Sequence, residues 1–342
     1  MPGWNLKEGK CTASGVSEDE YWTYLNYVLS DACKKTNTYK FGLIKSICDQ
    51  IYTLEYEENG YFLSYRNLFA KFAENYWNLV SRYQLKQMLY NGSSEFSKIE
   101  QIIYDITRTY NIEEQIPFQS LSEKDLIRVV KSVTSNCKRY VIGALYNDFE
   151  GKLYSFDLKG NGIVLHRDAY SFICKFKREI ERLNYYSWAR FLERANDDDK
   201  VIRLLDKLDL STPRRNDLSL YRRILYEEFS EDHCFYCGNK LSSDIHVDHF
   251  IPWVFVKSDN LWNFVLTCPK CNIQKKDALV GKSFITMLED RNRQLLSISP
   301  SLEDSKLVID EFRGYDDQLL GKMWSYAQRS GLRVREDLFL CN

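Results

Sequence analysis

The sequence predicts an α+β protein: a mostly helical N-terminal region with a β-hairpin, followed by a small stapled module towards the C-terminus. Three observations lead there. Apolar residues recur at helical spacing in five stretches before residue 138, β-branched and aromatic runs break that spacing as far as His166, and Cys234, Cys237, Cys268 and Cys271 form two Cys-x-x-Cys pairs. The chain has 342 residues, the length of about two domains. Hydrophobic residues make up 44% of it and aromatic residues 15%, which excludes global disorder.

Ser17 with Glu20 makes a capping box, and Tyr21, Leu25 and Val28 follow at helical spacing, so a helix is expected at about residues 18 to 33. Similar patterns predict helices over Phe41 to Tyr52, Tyr65 to Tyr83, Ser94 to Tyr110 and Ser122 to Cys137, with Phe69, Phe72 and Trp77 as core residues. Tyr140 to Tyr146 and Leu153 to Leu158 then read as strands joined by the turn-rich Asn147 to Gly151, with a third strand at Ile163 to His166. A helix followed by a hairpin fits a winged-helix reader of DNA, although one helix with one hairpin occurs in many folds and structural scaffolding is the favoured reading. Residues 168 to 196 return to helix, and the acidic run Asp197 to Asp199 marks a solvated boundary. The expected organisation is a domain at 1–196 for targeting, regulation or partner binding, a linker and helix at 197–230, a module at 231–282 and a helical extension at 283–342.

Lysine and arginine number 47 against 48 aspartates and glutamates, a formal net charge of −1. No global basic field exists, so phosphate contacts would have to come from local clusters, of which Arg214-Arg215 and Arg222-Arg223 are candidates. Nothing resembles a secretory leader, and no apolar run reaches the roughly 20 residues of a membrane span. Cytoplasmic location and a reducing environment are therefore expected, and clustered cysteines there hold metal more readily than they form disulfides. Four thiolates on two such knuckles suit tetrahedral Zn²⁺, and an all-cysteine shell leaves no open position, so that zinc would be structural.

Between and beside the knuckles lie Asp248-His249, Asn263 and Asn272, the two asparagines following His249 at 14 and 23 residues, and then Lys275-Lys276. Over about residues 231 to 282 this segment resembles the HNH endonucleases of the His-Me finger superfamily. The resemblance implies a ββα-metal fold and hydrolysis of phosphodiester bonds, with Asp248, His249, Asn263 and Asn272 as the catalytic motif. Asn263 is then the member that ties the loop presenting His249 and does not ligate metal.

The residue types support those roles on their own chemistry. An imidazole titrating near pH 6.5 is a natural base for water, and a carboxylate with an amide oxygen suits Mg²⁺ or Mn²⁺ better than zinc. His246, two residues before Asp248, is expected on the same strand face, as a contact to nucleic acid or metal or as a satisfied polar neighbour. Lys275 and Lys276 are candidate phosphate contacts. The resemblance points to DNA as substrate, with RNA left open, and to restriction or antiphage defence, where the N-terminal region would bind a protein partner or a second copy. The competing readings are a zinc ribbon that grips nucleic acid or protein without cutting, and an effector subunit of a larger defence complex.

Overall fold

The computed structural model describes residues 5–11, 15–57, 60–90, 92, 94–113, 116–198, 200–201, 204–210, 218–242, 244–256, 258–316 and 318–336. Asp199, Arg214, Arg215 and Cys341 lie outside the described residues. The chain divides into two compact units, Met1–Thr212 and Pro213–Asn342, of mixed α+β type.

In the first unit the helices begin where their caps are. Ser17 accepts a hydrogen bond from Glu20 N and donates its own backbone N–H to the Glu20 carboxylate, which starts α1 (Glu18–Leu29). A second box, Ser97 with Glu100, starts α4 (Lys98–Tyr110), four residues later than the sequence pattern predicts, because only there is the first turn reciprocally bonded. Between them run α2 (Tyr39–Gln50) and α3 (Tyr65–Trp77), the latter continuing as a π-turn to Arg82. Phe69, Phe72 and Trp77 are fully buried, as expected.

The predicted strand at Tyr140 to Tyr146 is helix. It belongs to α5 (Glu123–Asp148), in which Val129, Val133, Cys137, Val141 and Leu145 repeat every four residues and are all buried. Burial of that stripe outweighs the β preference of the local residues. The turn-rich Asn147 to Gly151 is accordingly a helix C-terminus, where Glu150 and Gly151 take positive φ and Gly151 N donates to Tyr146 O at 2.9 Å.

The true hairpin is β4 (Tyr154–Asp157) with β5 (Gly162–Leu165), turning through Lys159 to Asn161. It is the centre of a five-stranded antiparallel sheet completed by β1 (Glu8–Gly9), β2 (Glu55–Glu57) and β3 (Gly60–Ser64), in the order β1-β4-β5-β3-β2, rather than a two-stranded wing. Gly60 is required where β3 meets β5: its φ is +154°, and a Cβ would stand 2.0 Å from Leu165 O. His166 caps α6 (Arg167–Ala195) by accepting from Asp168 N, and α6 bends at Phe176. Helix α7 (Leu204–Leu210) joins this unit by burying Leu204 and Leu208.

Inside this helical layer sits a buried charge network. Lys45 pairs with Asp49 and lies 3.7 Å from Glu181, which also holds Lys177 at 3.0 Å. Asn75 donates to the second Asp49 oxygen. Burial alone would pull the Lys45 ammonium down, but Asp49 and its neighbours hold it well above the usual lysine range, and Asp49 is lowered in turn. Removing one partner strands the other charge. Asp49→Ala should therefore cost about 3–5 kcal/mol of unfolding free energy, and the double change Lys45→Met with Asp49→Leu should recover most of it. Denaturant midpoints of the three proteins check this.

Candidate active site

In the second unit a two-stranded ribbon, a loop and a short helix carry the motif. Strand β6 (His246–His249) pairs antiparallel with β7 (Phe264–Thr267), His249 opposite Phe264 and His246 opposite Thr267, and α10 (Pro269–Lys275) follows at once. Before the ribbon runs α8 (Ser219–Arg223), extended by a π-turn to Glu228, and α9 (Trp253–Val256) lies in the loop. Pro269 occupies the first turn of α10, where no N–H is needed. Cys268, Cys271, Asn272 and Lys275 then recur at intervals of three and four and share one helix face, which is turned to β6.

The four cysteines Cys234, Cys237, Cys268 and Cys271 place their sulfurs within 4.8 Å of one another, with Cys237 and Cys268 4.0 Å apart. Zn–S bonds of about 2.3 Å put tetrahedral sulfurs near 3.8 Å, so the donor set fits a zinc ion. The first knuckle closes through Gly238 N to Cys234 O at 2.8 Å, a turn for which Gly238 adopts φ +71°. Phe235 N donates to Leu266 O at 2.9 Å and ties that knuckle to β7. Burial raises the Cys234 thiol. Cys268, despite some burial, is held below the usual thiol range by hydrogen bonds from the Cys271 backbone and the neighbouring sulfurs.

Strand alternation puts His246 and Asp248 on the face turned to α10 and His249 on the other. Asp248 is buried. Its Oδ2 accepts from the Tyr236 hydroxyl at 2.7 Å and from Lys275 Nζ at 2.9 Å. Burial, reinforced by the Asp248 charge, pushes the Tyr236 phenol well above its usual value, so it stays a donor. Asn272 turns its amide nitrogen to His246 Nδ1 at 2.8 Å, while His246 Nε2 lies 3.2 Å from Asp244. The Asn272 oxygen is thus the atom directed elsewhere. Asp248 and Asn272 offer hard oxygen donors, which suit a cation such as Mg²⁺ or Mn²⁺.

His249 ends β6 with its side chain 6% exposed. Its Nε2 meets Asp259 Oδ1 at 2.9 Å, and Trp253 and Phe264 contact the ring edge-on. Asn263 is fully enclosed and bonds Ile251 twice, accepting from its N–H at 2.8 Å and donating to its C=O at 3.0 Å. Phe250 N in turn donates to Asn263 O. The loop leaving His249 is thereby clamped to the residue that precedes β7.

Two helices brace this loop, α11 (Ser283–Ile298) and α12 (Ser305–Glu311), and α13 (Leu319–Arg329) packs against α11 and the strand after α10. Asn292 donates to Trp262 O at 2.9 Å, Arg291 to Phe264 O, and Leu261 N to Glu311 at 3.0 Å. Trp324 of α13 donates to Val280 O in β8 (Leu279–Val280), which pairs parallel with β9 (Val334–Arg335).

The expected phosphate contact at Lys275 is a correction: its ammonium is 1% exposed and held between Asp248 and the His249 carbonyl, because its helix face is the inner one. Arg223 is likewise engaged, with Glu228, Glu303 and Asp304, and serves as a tie within this unit. Lys276 and Arg222 are exposed, and His246 is half-buried. Sequence reasoning missed Tyr236, Asp259 and the bracing residues Arg291, Asn292 and Glu311. Asp259 sits in Ser258-Asp259-Asn260, which reads as an ordinary turn, and nothing in the pattern marks it as a partner of His249.

Compared with known families, residues 234–278 match the family model described as HNH endonuclease, which gives this segment a nuclease-type function. No curated protein and no solved structure matches the chain. Asn263→Ala removes two buried bonds, each worth about 1–1.5 kcal/mol. It should lower the stability of the second unit by on the order of 2–3 kcal/mol while leaving its zinc content unchanged, as thermal unfolding with elemental analysis would read.

Proposed function

We propose that the second unit is a divalent-metal-dependent endonuclease that hydrolyses phosphodiester bonds of DNA. What supports this reading is that Asp248 and His249 are consecutive in β6, with Asn272 on the helix bonded to the same strand through His246 and starting at the second cysteine pair, all within the segment that matches the HNH family. Asp248 and Asn272 would hold the catalytic Mg²⁺ or Mn²⁺, and when bound that cation offsets charge on the phosphoryl oxygens. His249 takes the proton of the attacking water as its oxygen bonds to phosphorus, the phosphorus–O3′ bond breaks, the departing O3′ takes a proton from solvent water, and the products carry 5′-phosphate and 3′-hydroxyl ends. Asn263 holds the backbone that presents His249. Lys276 and Arg222, both exposed, are the remaining candidates for phosphate contact. The cysteines hold zinc for shape and take no part in the reaction.

A ribbon that only bound nucleic acid would need the four cysteines but neither the imidazole nor the two oxygen donors. We further propose a cytoplasmic setting in restriction or antiphage defence, with the first unit targeting or regulating the nuclease. No described helix is long and apolar enough to cross a membrane.

Cleavage of supercoiled plasmid tests the assignment. His249→Ala should lose about 10²- to 10⁴-fold in rate with substrate affinity and zinc content preserved. Asp248→Ala and Asn272→Ala should fail through weakened cation binding and recover partly when Mg²⁺ or Mn²⁺ is raised. Wild-type cutting by His249→Ala would refute the reading.

A further inference from the structure

We infer that Asp259 is the positioning residue of His249, fixing the imidazole as the Nε2–H tautomer so that Nδ1 presents its lone pair to water. This rests on the reading of His249 as the base. The Nε2 to Asp259 Oδ1 distance is 2.9 Å, and the two side chains are 6% and 4% exposed, so water does not compete for the bond. An ionised carboxylate only accepts hydrogen bonds, and a neutral imidazole has one donor nitrogen. The bond to Asp259 therefore assigns the donor to Nε2 and leaves Nδ1 as the acceptor.

The ring cannot readily turn over to exchange the two nitrogens. Trp253 packs against it at 5.2 Å and Phe264, its cross-strand neighbour, at 4.7 Å between ring centres, both edge-on. The carboxylate is held just as firmly. Ser258 Oγ donates to Asn260 Oδ1 at 2.8 Å, Asn263 N donates to Asn260 O at 2.9 Å, and Leu261 N donates to Glu311, so the residues flanking Asp259 are fixed on both sides. The Asn263 side chain in turn ties Ile251, two residues past His249. One loop thus sets both partners of the pair.

The test uses the full zinc-loaded chain. With four histidines in the sequence, side-chain ¹⁵N spectra of the histidine-labelled protein are assignable by comparison with His249→Ala. The wild type should show His249 as the Nε2–H tautomer; a Nδ1–H signal overturns the inference without any substitution at Asp259. In Asp259→Asn the amide can donate to Nε2, so the tautomer should switch, and kcat should fall about 10²- to 10⁴-fold with KM changed less than about threefold. Asp259→Glu should keep the Nε2–H signal and recover part of kcat. An Asp259→Asn protein that keeps zinc and cuts within about threefold of wild type, or loses rate with its tautomer unchanged, overturns the role. If His249→Ala is inactive while Asp259→Asn is not, only this inference falls; if His249→Ala cuts normally, the base assignment itself falls, whatever the tautomer.

Discussion

Two turns of chain, one around Cys234 and Cys237 and one around Cys268 and Cys271, have to bring four sulfurs to within 4.8 Å, and the geometry of the second unit follows from that closure. The second knuckle is also the start of α10, so fixing Cys268 and Cys271 fixes the helix face that carries Asn272 and Lys275 against β6. The first knuckle is stitched to β7 through Phe235, which sets the ribbon relative to the same point. The staple acts together with a packed interior, since Phe250, Ile251, Phe255, Trp262, Phe264 and Leu266 between the knuckles are all buried.

Within that frame the polar residues divide into those that face chemistry and those that hold backbone. Lys275 belongs to the second kind: an ammonium bridging the Asp248 carboxylate and the His249 carbonyl locks helix to strand where the motif residues sit. Asn263 and the residues of α11 and α12 do the same for the loop, each by bonding a main-chain group between Ile251 and Phe264. Burial raises Glu311 above the usual carboxyl range and lowers Arg291 below the usual guanidinium range. Helices α11 and α12 thus hold the main chain of the loop that follows His249.

How much of this was legible depended on whether a residue acts through its chemistry at fixed spacing or through its place in three dimensions. The cysteines, Asp248-His249 and the two asparagines are chemically distinctive at short intervals, and the ββα arrangement was readable from them. The α+β class and most helices of the first unit followed from apolar spacing and capping boxes. Tyr140 to Tyr146 misled because β-branched and aromatic residues have the local preference of a strand, while the four-residue stripe running from Val129 to Leu145 is visible only when the segment is read together with the helix before it. Lys275 misled because lysine is usually solvated, although its spacing from Cys268 and Cys271 already placed it on the inner face. Asp259 had no sequence signal, since its meaning comes from a partner ten residues away across a folded loop.

We propose that the chain would hold two kinds of metal for separate purposes, zinc in the sulfur cluster for shape and a hard divalent cation at Asp248 and Asn272 for cutting. The most direct measurement titrates Mg²⁺ or Mn²⁺ into the zinc-loaded chain, following plasmid scission, the chemistry of the product ends and the zinc count together. Scission should rise with added cation at a constant one zinc per chain, and the ends should bear 5′-phosphate. Scission that persists when every hard cation is removed and zinc alone remains, or none at any cation concentration with the zinc site full, would contradict it.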